Sequence, residues 1–451
     1  MKIFLVLSNF PYAKGEAIEI VSDEMIRLAA KAGHEIVVQV IIREAQNPLF
    51  FKRMQEAIAN LKHLKVTFLE PIFLGDGKNK KGKIRERIYR ALSIIISLPL
   101  LRRYINPYLF PAMSVAPQMR TRIRSVKPDI ILSIWSWEGL AATYTIRGIP
   151  KFTYYGNPDH KPEEAWLKAP ELFDIPVQGL VNHIKFNILK LFNRARKVQH
   201  VKMMKNYNVT ANNSLIDAQY YASQGHSRSI YLQNMWPEAK SKPSFLQKNY
   251  DTSVVKILGS IGNLGATGNT LGLFYLGTEL APRLEKKFDK KSIQIHLYGP
   301  GKPHLRVADA LSRRSIIIRG WVDDIEEEIR SSHAFLVLTN VNGFIVGNTR
   351  ILLAWSLGSC LIAHKNSALS MPEINHMENA LLGESAEELA DLIYQSVKNP
   401  DLREKIGRGG YETYQKYYRS NIVVPLMLKE MESCISLYEN RKNEGLGGKL
   451  C

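Results

Sequence analysis

Cysteine is scarce: among 451 residues there are three, Cys360, Cys434 and Cys451, far apart and without metal-ligand spacing. That argues against a disulfide framework or a zinc module, and reduced thiols are expected, which points to the cytosol. Long apolar runs are missing too. No window reaches the roughly 18 uninterrupted apolar residues of a spanning helix. The apolar run in MKIFLVLSNFPYAKGE is five residues long before Ser8 and Asn9, a first strand and too short for a signal peptide. The chain is not expected to be integral to a membrane. Acid is the third scarcity: 42 Asp and Glu face 61 Lys and Arg, a net charge of +19. Nucleic acid is the usual partner of such a surplus, yet there is no zinc finger, helix-turn-helix, recognition-motif aromatic or basic low-complexity tail. No nucleic-acid partner is expected.

What is present is the composition of a globular protein, 45% hydrophobic and 23% charged. The length exceeds one ordinary core and suits two α/β domains with a cleft between them. Basic charge gathers in two places. Residues 78–90 (KNKKGKIRERIYR) hold seven bases against Glu86 and lead into the apolar residues 91–101 (ALSIIISLPLL), with Tyr104, Tyr108 and Phe110 beyond. Residues 183–205 (HIKFNILKLFNRARKVQHVKMMK) form the second block, basic and helical in period. Each reads either as a docking face for an anionic membrane surface or as a solvated amphipathic helix.

Strand signals repeat through the first half. Residues 2–6 form a buried strand, and Ile18, Val21, Met25, Leu28, Ala29 and Ala32 follow at helical spacing, closed by Gly33 as a left-handed cap. Residues 35–42 (EIVVQVII) have the continuous β-branched content of a strand buried on both faces. Residues 127–135, 148–160, 208–213 and 229–234 are further short strands ending in polar or turn residues. Residues 1–240 are thus one doubly wound domain, and 241–253, poor in apolar residues, are the linker.

In the second half a strand from Val254 runs into Gly259, Gly262, Gly265 and Gly268, where backbone can approach a phosphate and a helix N-terminus can face it. The alternative is tight packing alone. The spacing is not that of a dinucleotide fingerprint, and no Walker motif is present. Residues 293–298 end in Gly299-Pro300-Gly301, and residues 316–382 read strand, helix, strand, helix, strand, which demands a parallel sheet with ligand loops at its carboxyl edge. Ser385 and Glu388 form a capping box. Residues 254–410 make the second domain, and 411–451 are a long amphipathic helical pattern.

In their order these segments resemble a retaining GT-B glycosyltransferase of family 4 type. GSIGNLGATGN, HLYGPG, GWVDDIEEEIRSSHAFLVLT and MPEINHMENALLGESAEELADLI match the donor half; LSNFPYAKGEA and AAKAGHEIVV match the acceptor half. The resemblance implies an α/β fold of two doubly wound Rossmann-like domains facing across a cleft, with the C-terminal helix returning to the N-terminal domain. It implies transfer of a sugar from a nucleotide-sugar donor to a glycan or lipid-linked acceptor in cell-surface polysaccharide biosynthesis. No cofactor or metal is expected, and the place of action is cytoplasmic, peripheral at the inner face of the cell membrane.

Site residues follow from the same match. Arg350 is the cation beside the leaving diphosphate. Gly259, Gly262, Asn269, Gly299, Ser370 and Met371 surround the phosphates, the last two through their amides. Asn342, Gly343 and Phe344 lie beneath the donor sugar, and Trp321 and Val322 frame the base, with packing as the alternative for Trp321. Asn9, Gly15, Tyr155, Asn157 and Asp159 are on the acceptor side. His160 is either a general base or an incidental surface histidine. Asp323 and Asp324 are read as a helix first turn and not as metal ligands.

The chain also departs from the family. Two glutamates usually flank the glycine loop, the second holding the donor ribose; here Asn342 stands near the first and Leu353 replaces the second. Glu373 is the nearest carboxylate to take over. Asn269 stands where lysine is common, and Tyr155 where histidine is. Two other functions stay open: a nucleotide-sugar epimerase, which would need acid/base residues in the cleft, and a degenerate, non-catalytic scaffold.

Overall fold

The computed structural model describes residues 1–42, 48–74, 115–241, 243, 245, 254–288, 293–341 and 343–444. The basic segment 78–90, its apolar continuation 91–101, Asn342, Cys451 and most of the expected linker lie outside the described residues.

Two parallel sheets with flanking helices make up the fold, the α/β class expected from the strand and helix order. The first contains β1 (Lys2–Leu7), β2 (Glu35–Ile42), β3 (Val66–Phe68), β4 (Ile72–Phe73), β5 (Ile130–Ile134), β6 (Lys151–Tyr155), β7 (Val209–Asn212) and β8 (Ser229–Tyr231), ordered β3-β2-β1-β5-β6-β7-β8 with β4 beside β2. The second contains β9 (Val255–Ile261), β10 (Ile293–Tyr298), β11 (Ile316–Gly320), β12 (Ala334–Val337), β13 (Leu361–His364) and β14 (Leu381–Gly383), ordered β11-β10-β9-β12-β13-β14. In each, winding reverses beside the first strand, between β1 and β5 and between β9 and β12. Open parallel sheets bind ligands outside the carboxyl ends of the strands at such a reversal.

The chain divides into two compact units: Met1–His160, Asn187–Leu232 and Ser420–Cys451 in one, Lys161–Phe186 and Gln233–Arg419 in the other. Residues 161–186, 233–240 and 411–419 therefore group with the second unit, whereas a simple reading places the first two in the N-terminal domain and the third in the returning helix. Packing decides it: Ala165, Leu172 and Phe173 are buried in the core that also holds Leu271, Leu273 and Leu297, and Trp236 N donates to Tyr418 O at 3.0 Å. In the first unit the helix Ser420–Asn443 packs on the helix Ala17–Lys31. Cys360 and Cys434 are unpaired and buried, which pushes each thiol up to about 12.

Candidate active site

The winding reversal of the second sheet is where its glycine turn and glycine loop meet. β9 runs into Gly262, whose φ of 97° only glycine adopts readily, and β10 runs into Gly299, at φ 127°. The two turns touch backbone to backbone: a Cβ on Gly299 would sit 2.3 Å from Gly262 O. The contact demands a glycine at 299, and the positive φ favours one at 262. Gly259 has a different reason, since its Cβ would lie 2.5 Å from Ile295 Cγ2 inside the sheet. It serves strand packing, not phosphate approach.

Arg350 lies against this turn. It opens the helix Thr349–Ser356, whose cap Asn348 accepts from Arg350 N at 3.1 Å while its own amide donates to Thr339 Oγ1. Arg350 Nη1 donates to Asn269 Oδ1 at 2.6 Å, and its Nη2 is 3.2 Å from where a Gly262 Cβ would be. Asn269 is buried and held in turn by Ser260 Oγ at 3.2 Å and by donating to Asn263 O at 2.7 Å. Among the described residues no carboxylate pairs with Arg350. Burial lowers the guanidinium to about 10, so it is charged at neutral pH. A partly desolvated cation held by an amide and open backbone is a place for an anion. The helix Thr267–Tyr275 starts beside it with no side-chain cap at Ala266, leaving first-turn amides for the same anion.

The loop from β12 to Arg350 is tied by asparagines. Buried Asn340 accepts from Val346 N at 3.2 Å and donates to Val346 O at 3.2 Å and Ser367 Oγ at 3.3 Å. Asn366 Nδ2 donates to Asn340 O at 3.2 Å. Lys161 adds a clamp, its Nζ donating to Ile345 O at 2.8 Å. Of these, Asn348 had a readable signal, a polar cap before an apolar helix; Lys161, Asn366 and the Asn340 bond to Ser367 act through contacts farther apart in sequence.

The remaining donor-side expectations divide. Gly343 is exposed at φ 75°, but Phe344 is a core residue, its ring 3.2 Å from a Gly268 Cβ position, and does not lie open beneath a sugar. Ser370 and Met371 do not start a helix. The short helix Ser367–Ser370 ends on Ser370, Met371 N closes it on Ser367 O at 3.1 Å, and Met371 is buried. That amide is spent. Glu373 is spent as well: Oε1 accepts from Gln233 Nε2 at 3.0 Å and Oε2 from the Tyr418 hydroxyl. Leu353 packs into the apolar cluster around Trp355. Trp321 is 71% exposed, which removes the packing alternative, while Val322 is half-buried against the same cluster as Leu353. Asp324 caps the helix Ile325–Arg330 by accepting from Glu327 N at 3.0 Å.

In the first unit, Asn9, Asn157 and Asp159 follow strand ends at the carboxyl edge, near the reversal between β1 and β5. A Cβ on Gly15 would meet Glu19 Oε2 at 1.8 Å, so that glycine makes room for the glutamate that caps the helix Ala17–Lys31. Tyr155 is buried and donates to Asp159 Oδ2 at 2.7 Å; burial and the Asp159 charge raise its hydroxyl well above the usual value. Asp159 also faces His200 Nδ1 at 3.2 Å, and His200 Nε2 lies 2.7 Å from the Tyr221 hydroxyl. Burial would raise Asp159, but the His200 and Tyr155 bonds and the His200 and Arg196 charges outweigh it and hold the carboxyl low. His200, inside the second basic block, had no local signal. His160 is not a surface residue: it is 2% exposed and its ring is 5.6 Å from that of Tyr220.

Comparison with known proteins agrees with this layout. Residues 255–399 match the family described as glycosyl transferases group 1. Among solved structures, Anabaena HepE in complex with UDP is similar at 12% identity and TM-score 0.58, covering 96% of this chain and 100% of that one. Sucrose-phosphate synthase of Thermosynechococcus elongatus is similar at 11% identity and TM-score 0.62, over 97% and 100%. TarM is similar at 10% identity and TM-score 0.60, over 96% and 98%. At such identities these structures speak for the fold. No curated protein matches by sequence. The architecture is GT-B, two parallel α/β units, the second carrying a glycosyl transferases group 1 domain. It is the match over residues 255–399 that supports glycosyltransferase activity.

Proposed function

We propose that the chain moves a sugar from a nucleotide-sugar donor to a glycan or lipid-linked acceptor in cell-surface polysaccharide synthesis, with retention. The observation that carries this reading is Arg350: a charged guanidinium beside interlocked glycine turns at a winding reversal, with no carboxylate partner among the described residues. As the sugar leaves, negative charge builds on the β-phosphate, and a preorganised cation with helix-start amides lowers that barrier without proton transfer. In this reading Arg350 supplies the charge that a metal supplies elsewhere. Crystals of HepE with UDP and with UDP-glucose support a nucleotide-sugar donor.

Gly262, Gly299 and Gly343 line the donor, with Trp321 against the base and Asn269 acting through Arg350. Asn9 and Asn157 serve the acceptor. An epimerase would ask for an acid/base pair, and the groups bonded around Arg350 are amides and hydroxyls. The protein works peripherally at the inner face of the cell membrane, consistent with its net charge of +19; no described helix is long and apolar enough to cross a bilayer.

A thermal-shift panel of nucleoside diphosphates and their sugars tests the donor. A ligand at 100 times its Kd adds about 2.7 kcal/mol of stability. Arg350→Ala should abolish the shift and lower turnover at least about tenfold, the equivalent of 1.36 kcal/mol. No shift of the wild type at millimolar ligand would refute the reading.

A further inference from the structure

The helix Leu180–Lys205 has no acidic residue in its 26 positions and seven lysines and arginines. Its C-terminal half is built into protein, with Asn193, Ala195, Gln199, His200, Met203 and Met204 buried. Its first turns are not: Leu180 is 77% exposed, Val181 63%, Ile184 50% and Leu191 40%. At 3.6 residues per turn these four project within about 100° of one another, a single apolar stripe. His183 and Arg194 border the stripe on one side and Lys185 on the other, all exposed.

Leucine and isoleucine in water beside unopposed basic charge is not how a solvated face is built. Phosphodiester strands would use the charge and leave the stripe idle. A flat anionic leaflet uses both: the apolar stripe sinks to the acyl boundary while the basic borders reach headgroup phosphates. We propose that the first turns of this helix lie in the plane of an anionic membrane, stripe inward. The inference rests on the peripheral-membrane part of the function proposed above and gives it a surface; it does not depend on the donor.

Co-sedimentation with vesicles of phosphatidylcholine, alone or mixed with phosphatidylglycerol, tests it on the full chain. The wild type should bind the mixed vesicles and not the neutral ones. Leu180→Gln, Ile184→Gln and Leu191→Gln together, and separately Lys185→Glu with Arg194→Glu, should each weaken binding at least about tenfold, since a juxtamembrane base contributes about fivefold. Both variants should keep the wild-type melting temperature and nucleotide response, because these side chains are exposed. Failure of the wild type to bind mixed vesicles would overturn both this inference and the peripheral-membrane reading. Binding by the wild type and undiminished binding by both variants would overturn the inference alone. So would a lipid-free dimer that the glutamine variant abolishes, which would make the stripe a contact between copies.

Discussion

The Arg350 guanidinium is held by the Asn269 amide at 2.6 Å, and an amide fixes position without cancelling charge. Glu373 shows the opposite case. Its carboxylate was the nearest to take over from the ribose-binding glutamate that the family resemblance implies, yet both oxygens are bonded, to Gln233 and to Tyr418. A carboxylate so placed stabilises its own unit. Glu373→Gln should therefore lower stability by roughly 1 to 3 kcal/mol, the worth of bonds to a charged group, and leave nucleotide affinity unchanged. Urea unfolding and UDP titration separate the two effects, and a tenfold loss of UDP affinity at unchanged stability would make Glu373 a donor ligand after all.

The helix His160–Lys168 and the turn Pro170–Phe173 fall between strands of the first sheet in sequence, but from Lys161 onward the segment packs as part of the second unit. Trp166 Nε1 donates to Thr267 Oγ1 at 2.9 Å at the start of the glycine-turn helix, Lys161 holds Ile345 O, and Asp174 faces His304 Nδ1 at 2.9 Å. Three contacts from one short strap fix both loops of the candidate site. Lys161→Met keeps the length and loses the donor, which should weaken binding of the proposed nucleoside diphosphate by about three- to tenfold, the value of one hydrogen bond of 0.5–1.5 kcal/mol. Lys161→Arg should restore most of it. A change in melting temperature with UDP affinity intact would reduce the clamp to ordinary packing.

For the molecule as a whole, histidines lowered by burial should make the fold sensitive to acid. His296, between Tyr298 Oη at 2.9 Å and Gln294 Oε1 at 3.0 Å, is lowered to about 4 from 6.5, first by burial and then by the Arg319 and Lys256 charges, against Glu328. Burial lowers His34, His226 and His364 too. A lowered imidazole is neutral when folded, so as pH falls the unfolded chain takes up the proton first. The stability is fully present above pH 6.5 and is lost between 6.5 and about 4, by up to about 3 kcal/mol for His296. Denaturant midpoints across this range should fall, and His296→Gln should flatten the decline. An equal decline in that variant would assign the acid sensitivity elsewhere.

Local sequence determined the elements. β-branched runs marked strands buried on both faces, glycines after β9 and β10 marked turns that other residues cannot follow, and the order strand, helix, strand forced parallel sheets, because parallel neighbours need a crossover. Arg350 was singled out by the family resemblance alone, not by any local pattern. What tertiary structure decided was occupancy. Whether Met371 N, the Glu373 carboxylate or the Tyr155 hydroxyl is available depends on partners such as Ser367, Tyr418 and Asp159. The side a segment belongs to was decided likewise, residues 161–174 joining the second unit because Leu172 and Phe173 find their core there. Propensity and period are properties of neighbours in sequence, whereas hydrogen-bond satisfaction and burial are settled between residues that only the fold brings together.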